Sequence, residues 1–269
     1  MDFSEINARG VVLLGCGKMG SALLGGWLQR GLDPGAVTAI DPNPSDWLRE
    51  TGVRIGTTPP ADAMLALVAV KPQMIDAALP ALRGLDDALI LTVAAGTPLA
   101  DYEAQLGAGA RIVRAMPNTP SAIGRGITAI IGNAAATEAD LDVADDMLSA
   151  VGEVVRLEEE SQLDAVTGLS GSGPAYVFHL IETLARAGAA QGLSADLSLR
   201  LARATVAGAG ALAMAGADPA ELRRNVTSPG GTTQAGLEVL MAELGDLVGR
   251  TVSAAADRSR ELGREAVQG

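Results

Sequence analysis

Short apolar runs alternate with longer mixed stretches through the first half of the chain. The runs are continuously apolar, and several of them end at a Gly or a Pro. Strands of this kind are buried on both faces, so the pattern predicts an α/β fold with a mostly parallel, doubly wound sheet. The first helix is predicted over Lys18–Arg30, closed by Gly31. The predicted strands are Arg9–Gly15, Val37–Asp41, Leu65–Val70, Leu89–Ala94, Arg111–Met116 and Ile127–Ile131.

The pattern changes after about Glu158, and no strand is predicted beyond Val155. Segments rich in Ala, Leu and Arg predict helices over Gln162–Leu169, Ala175–Gln191, Ala195–Ala215, Thr233–Leu244 and Leu247–Val267. We therefore predict an α/β domain over residues 1–157 and an all-α domain over residues 158–269. A run of mostly Ala and Gly, residues 204–217, is expected deep in a helix bundle, because small side chains let helices approach closely. The alternative is compositional drift in an Ala-rich protein.

Composition narrows the classes of function. The chain carries 20 basic and 32 acidic residues, a formal net charge of −12, and only 2% aromatic residues. An acidic protein with few rings repels phosphate backbones and cannot stack on many bases, so we expect no nucleic-acid partner. The single cysteine, Cys16, excludes an intramolecular disulfide and a Cys-rich zinc site, and we identify no other metal-ligand cluster.

The sequence also predicts where the protein resides. The N-terminal stretch is acidic and polar, which is not typical of a secretory signal. The longest low-polarity run, residues 204–217, is shorter than the roughly 20 apolar residues of a membrane span, so we expect no membrane association. A single cysteine fits a reducing compartment, and we expect a cytoplasmic protein.

A GxGxxG motif follows the first predicted strand and opens the first predicted helix. It comprises Gly15, Cys16, Gly17, Lys18, Met19 and Gly20. The first Gly permits a tight turn, the second lets the backbone approach a pyrophosphate, and the third lets the helix pack on the strand. The N–H groups at the helix N-terminus then face the anion. The alternative is a Gly-rich turn in a sheet that binds no nucleotide.

Asp41 ends the second predicted strand, 21 positions after Gly20, where a carboxylate that binds a ribose belongs. A carboxylate accepts hydrogen bonds from a ribose 2′-OH and repels a 2′-phosphate, so this residue alone favours NADH over NADPH. The segment that follows, which includes Asn43, offers donors that a phosphate could still use. The alternative is that Asp41 only caps the next helix.

Three further strand ends are expected at the same carboxyl edge of the sheet, along which a dinucleotide would lie. They are Val70, Lys71 and Pro72, then Ala94, Ala95 and Gly96, then the segment from Met116 to Pro120, which includes Asn118. Lys71 is the best local cation. The alternative for Pro72 and Pro117 is simple strand termination.

Two breaks in the helical half contain glycines and hydroxyls. Residues 170–174, SGSGP, are either a hinge between helices or a glycine-lined wall for a substrate. Residues 227–233, TSPGGTT, precede a predicted helix, where exposed N–H groups, two glycines and several hydroxyls suit a small carboxylate. A plain helix cap needs one Ser or Thr rather than this cluster.

Together these segments resemble the pyrroline-5-carboxylate reductase family along essentially the whole chain. The segments are VVLLGCGKMGSALLGG at 11–26, VAVKPQ at 68–73, RAMPNTP at 114–120, DAVTGLSGSGPAYVF at 164–178 and ELRRNVTSPGGTTQAGLEVL at 221–240. GxGxxG is common to many folds, whereas SGSGPAY together with NVTSPGGTT is specific to this family.

The resemblance implies a Rossmann domain, an all-α domain that forms a homodimer, and possible assembly into rings of dimers. It implies reduction of 1-pyrroline-5-carboxylate to L-proline by NADPH or NADH. By position, the implied cofactor contacts are Gly15 to Gly20, Val70 to Pro72, Ala94 to Gly96, Asn118 and Asn225. The implied substrate contacts are Glu160, Ser228, Gly230, Gly231, Thr232 and Thr233. Members that prefer NADPH often carry a small hydroxyl residue at the position of Asp41.

The implied mechanism leaves alternatives open. The N–H groups of residues 230–233 hold the substrate carboxylate, and Thr233, a very weak acid, serves as a proton relay or positioning group for the ring nitrogen. Glu160 favours a protonated iminium. Reduction of another cyclic imine and a nucleotide-binding regulator without catalytic activity remain alternatives. Hydroxyacid dehydrogenases of the 6-phosphogluconate type need a lysine in the helical domain, and no lysine follows Lys71.

Overall fold

The computed structural model describes residues 3–268 of the chain. Eight strands form one sheet in the order β3-β2-β1-β4-β5-β6-β7-β8. Neighbouring strands are parallel except for β6 and β7, which are antiparallel. The strands are β1 Val11–Leu14, β2 Val37–Ile40, β3 Arg54–Ile55, β4 Leu65–Val68, β5 Leu89–Thr92, β6 Ile112–Met116, β7 Gly126–Gly132 and β8 Gly152–Arg156. The predicted α/β class is confirmed.

Two strands, β3 and β8, were not predicted from the sequence, and they form the two edges of the sheet. Both residues of β3 are exposed, and β8, which pairs only with β7, has no fully buried residue. Edge strands of this kind lack the continuous apolar run that marks a buried strand.

Of the helices in the first half of the chain only α2 was predicted with bounds, and the helices of the second half differ from the predicted ones at several points. They are α1 Ser4–Arg9, α2 Lys18–Gln29, α3 Asp46–Glu50, α4 Ile75–Ala78, α5 Leu99–Leu106, α6 Glu138–Leu148, α7 Gln162–Val166, α8 Gly173–Ala190, α9 Ala195–Ala213, α10 Pro219–Asn225 and α11 Thr232–Gln268. The two predicted terminal helices are one helix, because the glycine at the predicted break, Gly245, destabilises a helix by only about 1 kcal/mol. The Asp218–Pro219 break instead begins α10, with the Asp218 carboxylate accepting from the N–H of Glu221.

Apolar side chains pack on both faces of the sheet. On one face Trp27 of α2 is fully buried, and its Nε1–H donates to the carbonyl of Met147 in α6 at 2.7 Å. On the other face the buried Tyr102 of α5 shares a 2.6 Å hydrogen bond with the hydroxyl of Thr92 at the end of β5. Helices thus cover both faces, as the continuously apolar strands predicted.

By internal contacts the chain divides into two units. One runs to Gly171 and includes the chain from Ala254 onward, and the other is Ser172–Ser253. The end of α11 belongs to the first unit, where the Ser259 hydroxyl donates to Asp164 of α7 at 2.6 Å. The predicted domain boundary between residues 157 and 158 stays a prediction.

The unit Ser172–Ser253 consists of α8, α9, α10 and the first part of α11. Helices α8 and α9 pack closely, since a Cβ added at Gly188 would lie 3.1 Å from the Ser198 hydroxyl. Many large apolar side chains are exposed in the single chain, including Phe178, Met214 and Val239, which are 59%, 69% and 70% exposed. The expected deep burial of the small-residue run 204–217 is wrong for the single chain, where almost all of it is exposed.

Within the described residues, no helix is both long and apolar enough to cross a membrane.

Candidate active site

The Gly-rich loop joins β1 to α2 with little room for side chains. Gly15 has a φ of +84°, and a Cβ there would lie 2.7 Å from Cγ1 of Val70. A Cβ at Gly20 would lie 2.6 Å from the carbonyl oxygen of Gly15, so helix and loop touch directly. Gly17 caps α2, and a Cβ there would meet nothing within 4 Å. The open space at Gly17 is where a bound pyrophosphate would approach the backbone.

Asp41 is joined to this loop by hydrogen bonds. One carboxylate oxygen accepts from the N–H of Cys16 at 2.7 Å, and the other accepts from the N–H of Asn43 at 2.8 Å. The next helix, α3, is capped by Ser45 rather than by Asp41, which removes the plain-cap alternative. Each carboxylate oxygen can still accept a second hydrogen bond, for example from a ribose hydroxyl.

The Cys16 thiol is expected to react slowly with iodoacetamide. Burial, and then the Asp41 carboxylate, raise its pKa to about 11, so the nucleophilic thiolate is scarce at neutral pH. Alkylation followed by mass spectrometry should be slower in the folded protein than in urea, and the rate should rise with pH toward 11. Equal rates in the folded and unfolded chain at pH 7 would contradict the burial described here.

An apolar cavity of about 230 Å³ lies at the carboxyl edge of β1, β2 and β4. It has the dimensions and apolar lining that suit a flat heterocycle such as adenine. Leu14, Ile40 and Val70 line it at the strand ends. The lining is completed by Pro42, Met74, Ala77, Ala78 and Ala81. The last four were not predicted, because their spacing after Pro72 indicates only a short helix.

The remaining predicted strand-end residues lie along the same edge of the sheet. Gly96 has a φ of +78°, and Ala95 beside it is exposed. Lys18 begins α2 and Lys71 follows β4, and both are exposed. Neither lysine makes an ion pair within the described part of the chain.

Asn118 has a structural role in the first unit. Its side-chain amide donates to the carbonyl of Ser170 and its oxygen accepts from the N–H of Ile127, both at 3.1 Å. The carbonyl of Ser170 belongs to a π-helical turn, Thr167–Gly171, that precedes α8. The side chain of Asn118 thus joins three chain segments, and its predicted cofactor contact stays a prediction.

Glu160 lies beside the β5–α5 loop rather than free in solvent. Its Oε1 accepts from Nη1 of Arg114 at 2.6 Å and from the N–H of Leu99 at 2.8 Å. A cavity of about 400 Å³ is lined by these charged groups together with Gly96, Asp164 and Ser259. Arg114 was not predicted as a site residue. Its position in an apolar strand gives no sign that its side chain pairs with a distant carboxylate.

The turn before α11 carries the other predicted substrate residues. Gly230 has a φ of +69°, and its N–H donates to Oε1 of Gln234, while the N–H of Gly231 donates to the carbonyl of Ser228. These two N–H groups are therefore already used within the turn. The N–H groups and hydroxyls of Thr232 and Thr233 make no hydrogen bond to the described residues. They stand at the N-terminus of a long helix, where the dipole favours an anion.

The cofactor and substrate residues fall in different units. All predicted cofactor residues except Asn225 lie in the first unit, and all predicted substrate residues except Glu160 lie in the second. Asn225 is the exposed last residue of α10.

Two family models match the chain. Residues 160–262 match the model for pyrroline-5-carboxylate reductase dimerisation. Residues 10–96 match the model described as NADP oxidoreductase, coenzyme F420-dependent.

Individual relatives match over nearly the full length. A pyrroline-5-carboxylate reductase of Pseudomonas aeruginosa is 38% identical over 95% of this chain and 97% of its own. A solved pyrroline-5-carboxylate reductase from Coxiella burnetii is 32% identical, with a TM-score of 0.89 over 94% of this chain and 98% of that one. A Plasmodium falciparum pyrroline carboxylate reductase with NADP bound is 28% identical, with a TM-score of 0.83 over 96% and 99%. This chain belongs to the pyrroline-5-carboxylate reductase family.

Proposed function

We propose that this protein reduces the cyclic imine 1-pyrroline-5-carboxylate to L-proline with NAD(P)H, the last step of proline biosynthesis. The observation that carries the proposal is the donor-lined turn at the start of α11, in a chain that also holds a Gly-rich loop fit for a dinucleotide. The first feature suits a small carboxylate and the second suits a pyrophosphate.

The cofactor would bind along the carboxyl edge of the sheet in the first unit. The open space at Gly17 admits a pyrophosphate, and the apolar cavity beside Val70 and Met74 admits the adenine. The proposed contacts are Gly15 to Gly20, Asp41, Asn43, Val70 to Pro72, Ala94 to Gly96, Asn118 and Asn225. NAD(P)H supplies the hydride that reaches the imine carbon.

The substrate carboxylate would be held by the turn before α11. The N–H groups of Thr232 and Thr233 are available for it, while those of Gly230 and Gly231 shape the turn through their internal hydrogen bonds. The Thr233 hydroxyl would orient the ring nitrogen and pass a proton to it. Ser228 would complete the set of residues around the substrate. Such orientation lowers a barrier by several kcal/mol when the reacting atoms are held within about 3–3.5 Å.

The direct test is oxidation of NADH and of NADPH by the purified protein, with and without 1-pyrroline-5-carboxylate. We expect oxidation only when the imine is present. A parallel assay with the six-membered homologue tests ring size, because one methylene changes binding by only about 1–3 kcal/mol. Tight cofactor binding without oxidation of either cofactor would favour a regulator without catalytic activity.

The Asp41→Ser variant should shift the preference from NADH toward NADPH. It removes a charge that repels a 2′-phosphate and an acceptor for the ribose 2′-OH. A hydrogen bond to a charged group contributes about 1.5–3 kcal/mol, so the ratio of the two kcat/KM values should change at least about tenfold. Asp46→Ser, at the exposed start of α3, removes the same charge and serves as the control. An unchanged ratio in the Asp41 variant contradicts its role.

The exposed apolar side chains of residues 172–253 support the proposal that the active form is a homodimer. Such dimers would assemble further into rings. We expect light scattering to give at least twice the chain mass of 27.2 kDa. A monomer at micromolar concentration would exclude this assembly. A cytoplasmic location remains part of the proposal and is supported by the single cysteine.

A further inference from the structure

We propose that Glu160 is a positioning residue for the cofactor, which acts by holding the loop between β5 and α5, rather than a residue that contacts the substrate. This inference rests on the proposed function, because Ala95 and Gly96 of that loop are proposed cofactor contacts. It replaces the role near the iminium that the family resemblance implied for Glu160.

The hydrogen bonds of Glu160 are directed at the loop. A single oxygen, Oε1, accepts from the N–H of Leu99, the first residue of α5, and from Arg114 on β6. The carboxylate thereby caps α5, where the helix dipole favours a negative charge. Leu99 lies three positions after Gly96, so this cap fixes the end of the loop.

The same loop is held at two other points. At its start, Thr92 shares a buried hydrogen bond with Tyr102 of α5. At its centre, Gly96 packs against the end of α11, where a Cβ on Gly263 would lie only 3.2 Å from the carbonyl oxygen of Gly96. Glu160 adds a third hold at the end of the loop, where its carboxylate links the N–H of Leu99 to Arg114 of β6.

The ion pair with Arg114 makes Glu160 a poor partner for a cationic iminium. The side chains of Arg114 and Glu160 are 11% and 32% exposed, so their charges compensate each other in a partly desolvated place. A carboxylate paired in this way has little net field to offer a second cation. Removing one partner would leave the other charge uncompensated and would release the loop.

The test is the Glu160→Gln variant, with Glu158→Gln as the control for loss of one exposed negative charge nearby. Cofactor affinity is measured directly by fluorescence titration, and KM for the imine is measured separately. We expect the cofactor Kd to rise about tenfold, as for a modest misplacement of a binding loop, with KM for the imine within about twofold of wild type. The control should match wild type in both.

A double-mutant cycle tests whether Glu160 acts through Arg114. The Arg114→Met variant should weaken cofactor binding alone, and adding Glu160→Gln to it should then have much less effect. Gly263→Ala presses on Gly96 from α11 and should also raise the cofactor Kd, which tests whether the position of this loop governs affinity. Arg114→Met keeps the proposal testable if the Glu160 variant fails to fold.

Three outcomes would overturn the inference: an unchanged cofactor Kd in Glu160→Gln, a rise confined to KM for the imine, or full additivity in the cycle. Failure of the proposed function is a separate result. Wild-type protein that neither binds NAD(P)H nor reduces the imine would refute the function, whereas wild-type activity with an unaffected Glu160 variant refutes only this inference.

Discussion

The Thr233→Ala variant is expected to turn over substrate about 100-fold more slowly than wild type while binding NAD(P)H within about twofold of wild-type affinity. Loss of one donor placed at a reacting group lowers kcat by about 10²–10³ in comparable sites. The affected group belongs to the substrate turn before α11, whereas the loop that would hold the pyrophosphate lies in the other unit. Steady-state kinetics and a cofactor titration measure the two quantities independently.

Two further variants make the result specific. Thr233→Ser keeps the hydroxyl and should recover most of the activity. Thr251→Ala removes a hydroxyl from the same helix, where it donates to the carbonyl of Leu247, and should leave turnover unchanged. Wild-type turnover in Thr233→Ala would exclude a role for this hydroxyl in the reaction.

The Gly17→Ala variant should fold normally and lose most of its affinity for NAD(P)H. Gly17 has a φ of −73°, which alanine adopts without strain, and an added Cβ meets nothing within 4 Å. The methyl group would therefore clash only with a ligand that approaches the backbone here. We expect a thermal midpoint close to that of wild type and a cofactor Kd raised about 100-fold or more, since a pyrophosphate held by N–H groups tolerates little displacement.

Neighbouring glycines provide the controls. Gly20→Ala places a Cβ 2.6 Å from the backbone of Gly15 and should destabilise the protein itself. Gly25→Ala, in the same helix, meets only Trp47 at an ordinary 3.7 Å and should leave both stability and affinity intact. If Gly17→Ala binds the cofactor as tightly as wild type, the pyrophosphate does not lie at this loop.

The sequence predicted those parts of the fold that are recorded in local patterns of burial. Strands β1, β2, β4, β5 and β6 are apolar runs with few exposed positions, and each was found within a few residues of its true ends. The edge strands β3 and β8 were missed because their side chains are largely exposed and carry no such run. The antiparallel direction of β7 depends on how the turn Thr119–Ile123 returns the chain, which local periodicity does not record.

The candidate site follows a similar division. Motifs with fixed spacing, such as Gly15 to Gly20, predicted where the Gly-rich loop lies and why glycines are needed in it. Contacts between residues distant in sequence could not be predicted, and these include Asp41 with Cys16 and Glu160 with Arg114. The hydrogen bonds that the N–H groups of Gly230 and Gly231 donate within their own turn could not be predicted either. They depend on the local backbone path and on the side chain of Gln234.

The position of the two lysines has a practical consequence for anyone who attaches probes to this protein. Lys18 and Lys71 are exposed at the edge of the sheet proposed for the dinucleotide, and the chain contains no other lysine. Succinimidyl esters modify lysine ε-amines and a free N-terminal amine, so every side-chain linkage to a dye or a surface will lie at that edge. A fluorophore there would report directly on nucleotide occupancy, whereas a sensor chip coupled through lysine would obstruct the binding it was made to measure.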